Sequence, residues 1–310
     1  PWHHILPLSI LLEGLTQPLT IALNRNKSYR ALSISKIVRA VFTVGLGLAL
    51  GFLDWDFSGL IIAHLSGQLM GALVLLLVYV QQGGLKGKSS VREMYQDSLS
   101  FDDFPRFAVL STFLNVASKH LPFFMLPAKF GQAVTGQYSK ADRVMNQPVV
   151  LFAMPIGRVF YEEGTAAFGR SPAELTQITK KTFRQLALLG LPFLLALILF
   201  GPQLFSFVLG KNWADAGEYA RWLMPGMYVT FIASPLSYLV DICRKLKEFL
   251  YFNMLVFMMR LAALLVGGAY LDALQAIQLF GAANVLLGLI QIGYLLWISH
   301  PRDLKGSDKL

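Results

Sequence analysis

Nine stretches of this chain are each long and apolar enough to form a helix that crosses a bilayer, and no other feature constrains the fold as strongly. They run from Ile5 to Leu23, Ile37 to Leu53, Leu60 to Val80, Phe107 to Leu126, Ala133 to Val159, Leu186 to Val208, Tyr219 to Ile242, Leu250 to Tyr270 and Ala276 to Ser299. A hydrocarbon core of ~30 Å takes about 20 helical residues. Within lipid every backbone N–H and C=O has to be satisfied inside the segment, and for apolar stretches of this length that means a helix. The expected fold class is therefore an all-α integral membrane protein, a polytopic helix bundle. Composition agrees: 55% of residues are apolar and 15% charged, where soluble domains carry about 25% charged residues. The single cysteine, Cys243, rules out an intrachain disulfide and a Cys-based metal cluster.

The loops between these stretches test the count. Positive charge alternates from one loop to the next. Arg25, Lys27, Arg30 and Lys36 follow the first stretch, whereas the loop after the second holds only Asp54 and Asp56. The same alternation continues to the tail, with Arg302, Lys305 and Lys309; one side collects 19 cations and the other 3. Because cytosolic loops are enriched in Lys and Arg, the basic loops and the C-terminus are expected in the cytosol and the start of the chain outside. The net charge of +9 is then a topology signal, and no nucleic-acid partner is implied. The chain begins at Pro1 with no recognisable signal peptide. An outside start is natural if an odd number of spans precedes it; three more would give twelve, with both ends cytosolic.

Residues 1–80 are expected to form three helices, 81–106 a polar cytosolic linker and 107–310 six further helices with a short tail. Gly47-x-x-x-Gly51 and Gly67-x-x-x-Gly71 fit close helix contacts, and each also fits the general abundance of glycine in membrane helices. Pro7, Pro18, Pro148, Pro155 and Pro235 fall inside spans and predict kinks. Ser171 and Glu174 have the spacing of a capping box that opens a cytosolic amphipathic helix. The pair His3-His4 lacks nearby acids or thiols and is not read as a metal site, and Glu162-Glu163 reads as a solvated face. There is no phosphate-binding GxxxxGK[ST] loop, no HExxH and no CxxC, so neither metal nor cofactor is implied.

Ionisable residues inside the bilayer each cost about 2.5–3.5 kcal/mol on insertion scales, so each is a functional candidate. They are Glu13, Arg39, His64, Lys119, His120, Lys140, Asp142, Arg143 and Arg260, with Asp241 near a cytosolic end. Lys119-His120 and Asp142-Arg143 fall near mid-span at 1.5 Å per residue. Lys140 and Arg143 share a helix face with Gln137 and Gln147. The five deep cations outnumber the three acids, which suits a cavity for an anion, since guanidinium groups bind phosphate oxygens bidentately. Plainer readings stand beside this one. Arg39 lies about one turn inside its helix and can snorkel to the rim. Glu13 reads as a partner for an arginine or as a proton-coupling acid, and Asp142 as half of a buried pair with Lys140 or Arg143 or as a coupling acid. His64 reads most simply as a polar helix contact.

The segment Gly136-Gln137-Tyr138-Ser139-Lys140-Ala141-Asp142-Arg143, followed by Pro148, resembles the G-x-Y-x-x-A-x-R…P segment of the polysaccharide-export flippases, the Wzx-like group. Leu209-Gly210-Lys211-Asn212-Trp213-Ala214-Asp215-Ala216 resembles their external G-x-x-W-x-x-A turn. Ser234-Pro235-Leu236-Ser237, a basic turn, then Asn253 and Arg260 continue the match in order. The resemblance covers 107–310 well and 1–106 mainly by topology. It implies the overall plan of the multidrug exporters and lipid II flippases, two six-helix lobes joined by a cytosolic linker, with the chain supplying nine of twelve spans. It implies a transporter in the bacterial inner membrane, not an enzyme, moving an undecaprenyl-pyrophosphate-linked oligosaccharide between leaflets by alternating access. The implied partners are that lipid-linked oligosaccharide, membrane lipids, and a polysaccharide polymerase and chain-length regulator. The substrate-binding cavity is then expected at Lys119, Lys140, Arg143 and Arg260, with Arg39 as a further member and Glu13 and Asp142 as its acids.

Three rival readings remain. A multidrug/cation antiporter of the same fold would want an acid-rich cavity, whereas the deep charges here sum to about +2. A membrane polymerase or glycosyltransferase would want a sizeable external loop, and the longest here is about ten residues. A structural membrane protein leaves five deep cations unexplained.

Overall fold

The computed structural model describes residues 6–26, 28–83 and 107–300, which are almost wholly helical, with no strand among them. In chain order the helices are α1 (Leu6–Arg25), α2 (Tyr29–Phe52), α3 (Asp56–Gln81), α4 (Val109–Pro148), α5 (Met154–Arg170), α6 (Pro172–Leu209), α7 (Ala214–Leu236), α8 (Tyr238–Ile242), α9 (Leu246–Tyr270) and α10 (Ala273–Ile298). A π-helical turn, Val149–Ala153, joins α4 to α5, and a 3-10 turn, Lys211–Trp213, leads into α7. Six segments are long and apolar enough to cross a membrane: Tyr29–Phe52, Ser58–Gln81, Pro172–Leu209, Lys211–Ile242, Leu246–Tyr270 and Ala273–Ile298. The protein is thus an all-α, polytopic membrane protein. The remaining three expected spans fall on α1 and on α4 through α5. α4 carries Lys119, His120, Lys129, Lys140, Asp142 and Arg143, so length and apolarity alone do not single it out. Most of the expected linker (84–106), the loop residue Lys27, the pair His3-His4 and the tail cations Arg302, Lys305 and Lys309 lie outside the described residues.

The chain divides into two compact units, Pro1–Asp97 and Ser98–Leu310. In the first, α2 and α3 pack through the glycines expected to do so on α3. A Cβ on Gly67 would meet the Arg39 carbonyl at 2.8 Å, and one on Gly71 the Arg39 Cβ at 3.2 Å. Buried Ser35 donates to the Gly71 carbonyl at 2.9 Å, which adds a hydrogen bond where the backbones are close. Gly51 faces open space, so of the two glycine pairs only Gly67 and Gly71 form a close contact at both members. Asp54, at φ 54°, makes the tight α2–α3 turn; aspartate tolerates this left-handed conformation better than most residues.

In the second unit α7 is central. Of the residues in its best membrane-length window, 61% are buried, against 17% for α6 and 28% for α9 and α10. Small residues make this possible. Gly201 of α6 lies against Gly217 of α7, backbone on backbone, and a Cβ on Gly281 of α10 would sit 2.6 Å from the Trp222 carbonyl. Large side chains fill the rest: Phe160, Leu175, Leu186, Leu236 and Leu295 in one cluster, Leu126, Met145, Phe205, Leu223 and Phe280 in another. Buried Thr176 at the start of α6 donates to the Ser299 carbonyl just beyond α10.

Two helices break where the sequence permits it. Gly131 (φ 85°, ψ 174°) interrupts α4 between the fourth and fifth expected spans, a conformation that a side chain would disfavour. Phe200 leaves helical geometry just before Gly201-Pro202, where the proline removes a donor from the ladder. Of the five prolines expected to kink spans, Pro18 lies within α1. Pro7 and Pro155 sit in first turns, and Pro148 and Pro235 at or next to helix ends. The capping box expected at Ser171 and Glu174 does not form. Ser171 is the N-cap residue but makes no side-chain cap, and Glu174 pairs with Arg170 at 3.4 Å. The complete box is at Asp272 and Gln275, opening α10.

Gly281→Ala pushes a methyl into the Trp222 carbonyl and should destabilise by about 1–3 kcal/mol, read as a lower Tm in detergent. Gly293→Ala, with nothing within 4 Å of its added methyl, should leave Tm unchanged. Cys243, in the turn between α8 and α9, is buried, and burial pushes its thiol up to about 11. The buried thiol resists ionisation, so stability is unaffected below the ordinary thiol value of 9.0 and falls as pH rises from there to about 11. Maleimide labelling at pH 7 should be slow in the native protein and fast after denaturation.

Candidate functional site

The chemistry of the second unit centres on a cavity of about 270 Å³ between α4, α7, α9 and α10. Its polar lining includes Lys119, His120, Asp142, Asn146, Arg260 and Asn284; Phe123, Leu223 and Phe280 are among its apolar walls. Arg260, near the middle of α9, is the best-anchored of these. Its Nε donates to Asn284 Oδ1 at 2.8 Å, and its Nη1 to Ser118 Oγ at 2.8 Å. Ser118 is wholly buried, and its hydroxyl donates to the Asn115 carbonyl at 2.9 Å. Asn284 Nδ2 donates to the Phe280 carbonyl one turn earlier at 2.8 Å. Among the described residues Arg260 Nη2 has no hydrogen-bond partner. One guanidinium therefore links three helices and still has donors to offer.

A polar seam continues from this point between α4 and α9. Asn115 Nδ2 reaches Asn253 Oδ1 at 3.4 Å, and Asn253, 2% exposed, donates to Ser111 Oγ at 2.6 Å. Ser111, Asn115 and Ser118 recur at helical spacing on α4, as do Asn253 and Arg260 on α9, seven residues apart. The acid of the cavity is less engaged. Among the described residues Asp142 makes no ion pair with Lys119, Lys140, Arg143 or Arg260. The cavity thus holds two cations, one acid and one imidazole.

The expected site residues do not all converge. Lys119, Asp142 and Arg260 come together. Lys140, on the same helix as Asp142, points elsewhere: its Nζ sits 4.6 Å from the centroid of the Trp213 ring, a cation–π contact. One turn earlier, Gln137 donates to the Asn212 carbonyl at 2.9 Å and accepts from the Ala216 N–H at 3.1 Å. The two sequence segments singled out at 136–143 and 209–216 are therefore packed on each other, with Gln137 closing the start of α7. Arg143 is exposed and does not line the cavity. Gln137, Lys140, Arg143 and Gln147 lie on a different face of α4 from the cavity lining, which carries Tyr138, Asp142, Met145 and Asn146.

Arg39 and Glu13 belong to the first unit and to each other. Arg39 Nη1 lies 3.2 Å from Glu13 Oε2, Gln68 Nε2 approaches the same oxygen at 3.4 Å, and Ser9 donates to Gln68 Oε1 at 2.8 Å. The network ties α1, α2 and α3 together and lines a second cavity of about 400 Å³, which also contains Lys36. Arg39 thus has a carboxylate partner within its own unit. His64 is exposed on α3 and does not line this cavity. Both partners of the Glu13–Arg39 pair are more than a third exposed, so a double-mutant cycle with Glu13→Gln and Arg39→Gln should give a coupling of about 1 kcal/mol in unfolding free energy.

Sequence reasoning missed Ser118 and Asn284. The signal for Ser118 was the Ser111-Asn115-Ser118 spacing, a polar stripe on an otherwise apolar stretch. Asn284 is an isolated amide in mid-helix, and no spacing marks it.

No curated protein and no solved structure matches the sequence. A family profile described as "polysaccharide biosynthesis protein" matches residues 1–218, more than half of the chain and including α1 to α6. With a bundle of membrane-length helices and the 136–143 segment inside that match, the chain belongs to the polysaccharide biosynthesis protein family.

Proposed function

We propose that this protein is a flippase that moves an oligosaccharide carried on undecaprenyl pyrophosphate across the bacterial inner membrane, for assembly of a surface polysaccharide. The observation that carries the reading is the cavity, where Lys119 and Arg260 face one carboxylate and neither is ion-paired to it among the described residues. Such a site is short of negative charge, and a pyrophosphate supplies it. Arg260 offers donors in fixed orientation and Lys119 a mobile ammonium, a pairing suited to a group with several acceptor oxygens. Membership of the polysaccharide biosynthesis family supports the substrate class.

In this reading the protein is a transporter, not an enzyme, and works by alternating access. The chain's spans divide three to one lobe and six to the other, with the tail in the cytosol. Lipids, a polymerase and a chain-length regulator are its partners. Lys140 steadies the turn at Trp213 and is not a direct ligand. The cation antiporter is disfavoured by the same charge count, because its cavity would carry an excess of acids.

The test is surface polysaccharide in cells that lack the native flippase and express single variants at equal membrane levels. Arg260→Ala removes the anchored cation and should cut export by about tenfold or more, with Lys119→Ala weaker but still clearly reduced. Export at wild-type level in both variants would overturn the proposal.

A further inference from the structure

Arg260 is unusual in what holds it. A guanidinium inside a helix bundle is ordinarily met by a carboxylate, because removing the charge from water is costly unless it is paired. Here both acceptors that fix it are neutral: an amide oxygen at 2.8 Å and a hydroxyl oxygen at 2.8 Å. The amide is not free to choose its orientation. Asn284 spends its Nδ2 on the Phe280 carbonyl at 2.8 Å, which leaves Oδ1 toward Arg260. Its position is also confined from the other side. Gly226 of α7 lies against it so closely that a Cβ there would meet the Asn284 Cβ at 2.8 Å. A glycine on one helix thus makes room for an asparagine on another, and the asparagine aims an arginine.

We propose that Asn284 is a specificity-determining residue of the cavity: as a neutral acceptor it orients Arg260 while leaving its charge uncompensated, so that the cavity takes an anion of the phosphate class. The inference rests on the reading of the cavity as an anion site and adds what sets its sign. The formal charges of Lys119, Arg260 and Asp142 leave the lining one unit positive. A carboxylate at position 284 would be nearly isosteric, would keep the acceptor facing Arg260, and would bring the lining to zero while pairing the one anchored cation. Asn284 therefore acts through Arg260 as a positioning residue, and its neutrality matters as much as its hydrogen bond.

The test is calorimetric titration of inorganic pyrophosphate into the purified full chain in detergent, with Arg260→Ala, Asn284→Asp, Asn284→Ala and the double variant Asn284→Asp/Asp142→Asn beside wild type. Arg260→Ala should lose measurable binding. Asn284→Asp should weaken binding by about tenfold or more, and Asn284→Ala, which removes the orientation but not the charge, by a smaller factor. The double variant restores the net charge without restoring the bond to the Phe280 carbonyl. It should recover part of the affinity, an outcome that a purely structural role for Asn284 does not give. If Arg260→Ala weakens binding but Asn284→Asp does not, the inference fails and the anion-site reading survives. If Arg260→Ala binds as wild type does, both fail. No recovery in the double variant overturns the inference as well. Should Asn284→Asp fail to fold, unchanged affinity in Asn284→Ala overturns it and a several-fold loss supports it.

Discussion

A guanidinium deep in a bundle of apolar helices has to be satisfied by its neighbours, since lipid offers no hydrogen bonds and water reaches it only through a cavity. Much of the second unit is arranged around that requirement. Arg260 draws a serine from α4 and an asparagine from α10, each held in turn by a backbone carbonyl of its own helix. Three helices are thereby fixed in register about one side chain, and the polar seam through Asn115, Asn253 and Ser111 extends the same register along α4 and α9. Because the partners are neutral, the arrangement orients the charge without cancelling it. Stability and a positive cavity come from the same contacts.

The second organising element is the central helix. α7 is buried because glycines and alanines let α6 and α10 approach its backbone. Close approach of this kind is how membrane helices gain packing energy when lipid is as apolar as the side chains it would replace. At the cavity the same device serves the lining, since Gly226 lets Asn284 sit close against α7, and Gly217 and Gly281 make other close contacts along that helix.

The two units treat intramembrane charge differently. In the first, Glu13 and Arg39 face each other with Gln68 alongside, so acid and base are consumed locally. In the second, Asp142 shares a cavity with Lys119 and Arg260 and pairs with neither. Both groups of residues look alike in one dimension, as charges set in apolar runs.

That likeness marks the boundary between what the sequence alone determined and what the tertiary structure decided. The apolar runs settle an all-α, multi-pass bundle, because the cost of unpaired backbone in lipid leaves few alternatives. Gly67 and Gly71 were legible as a contact, and Arg260 as a charge too deep to be incidental. Helical periodicity also placed Lys140 and Arg143 on one polar stripe, but it could not say what that stripe faces. α4 carries two polar stripes a fraction of a turn apart. Only the packing of α7, α9 and α10 selects the one with Asp142 for the cavity and assigns Lys140 to Trp213. Asn284 was invisible for the same reason. A lone amide in a helix means nothing until the fold brings an arginine, 24 residues away in sequence, to 2.8 Å from it. A linear pattern fixes which residues share a face; which face meets which neighbour depends on contacts between helices that no local spacing encodes.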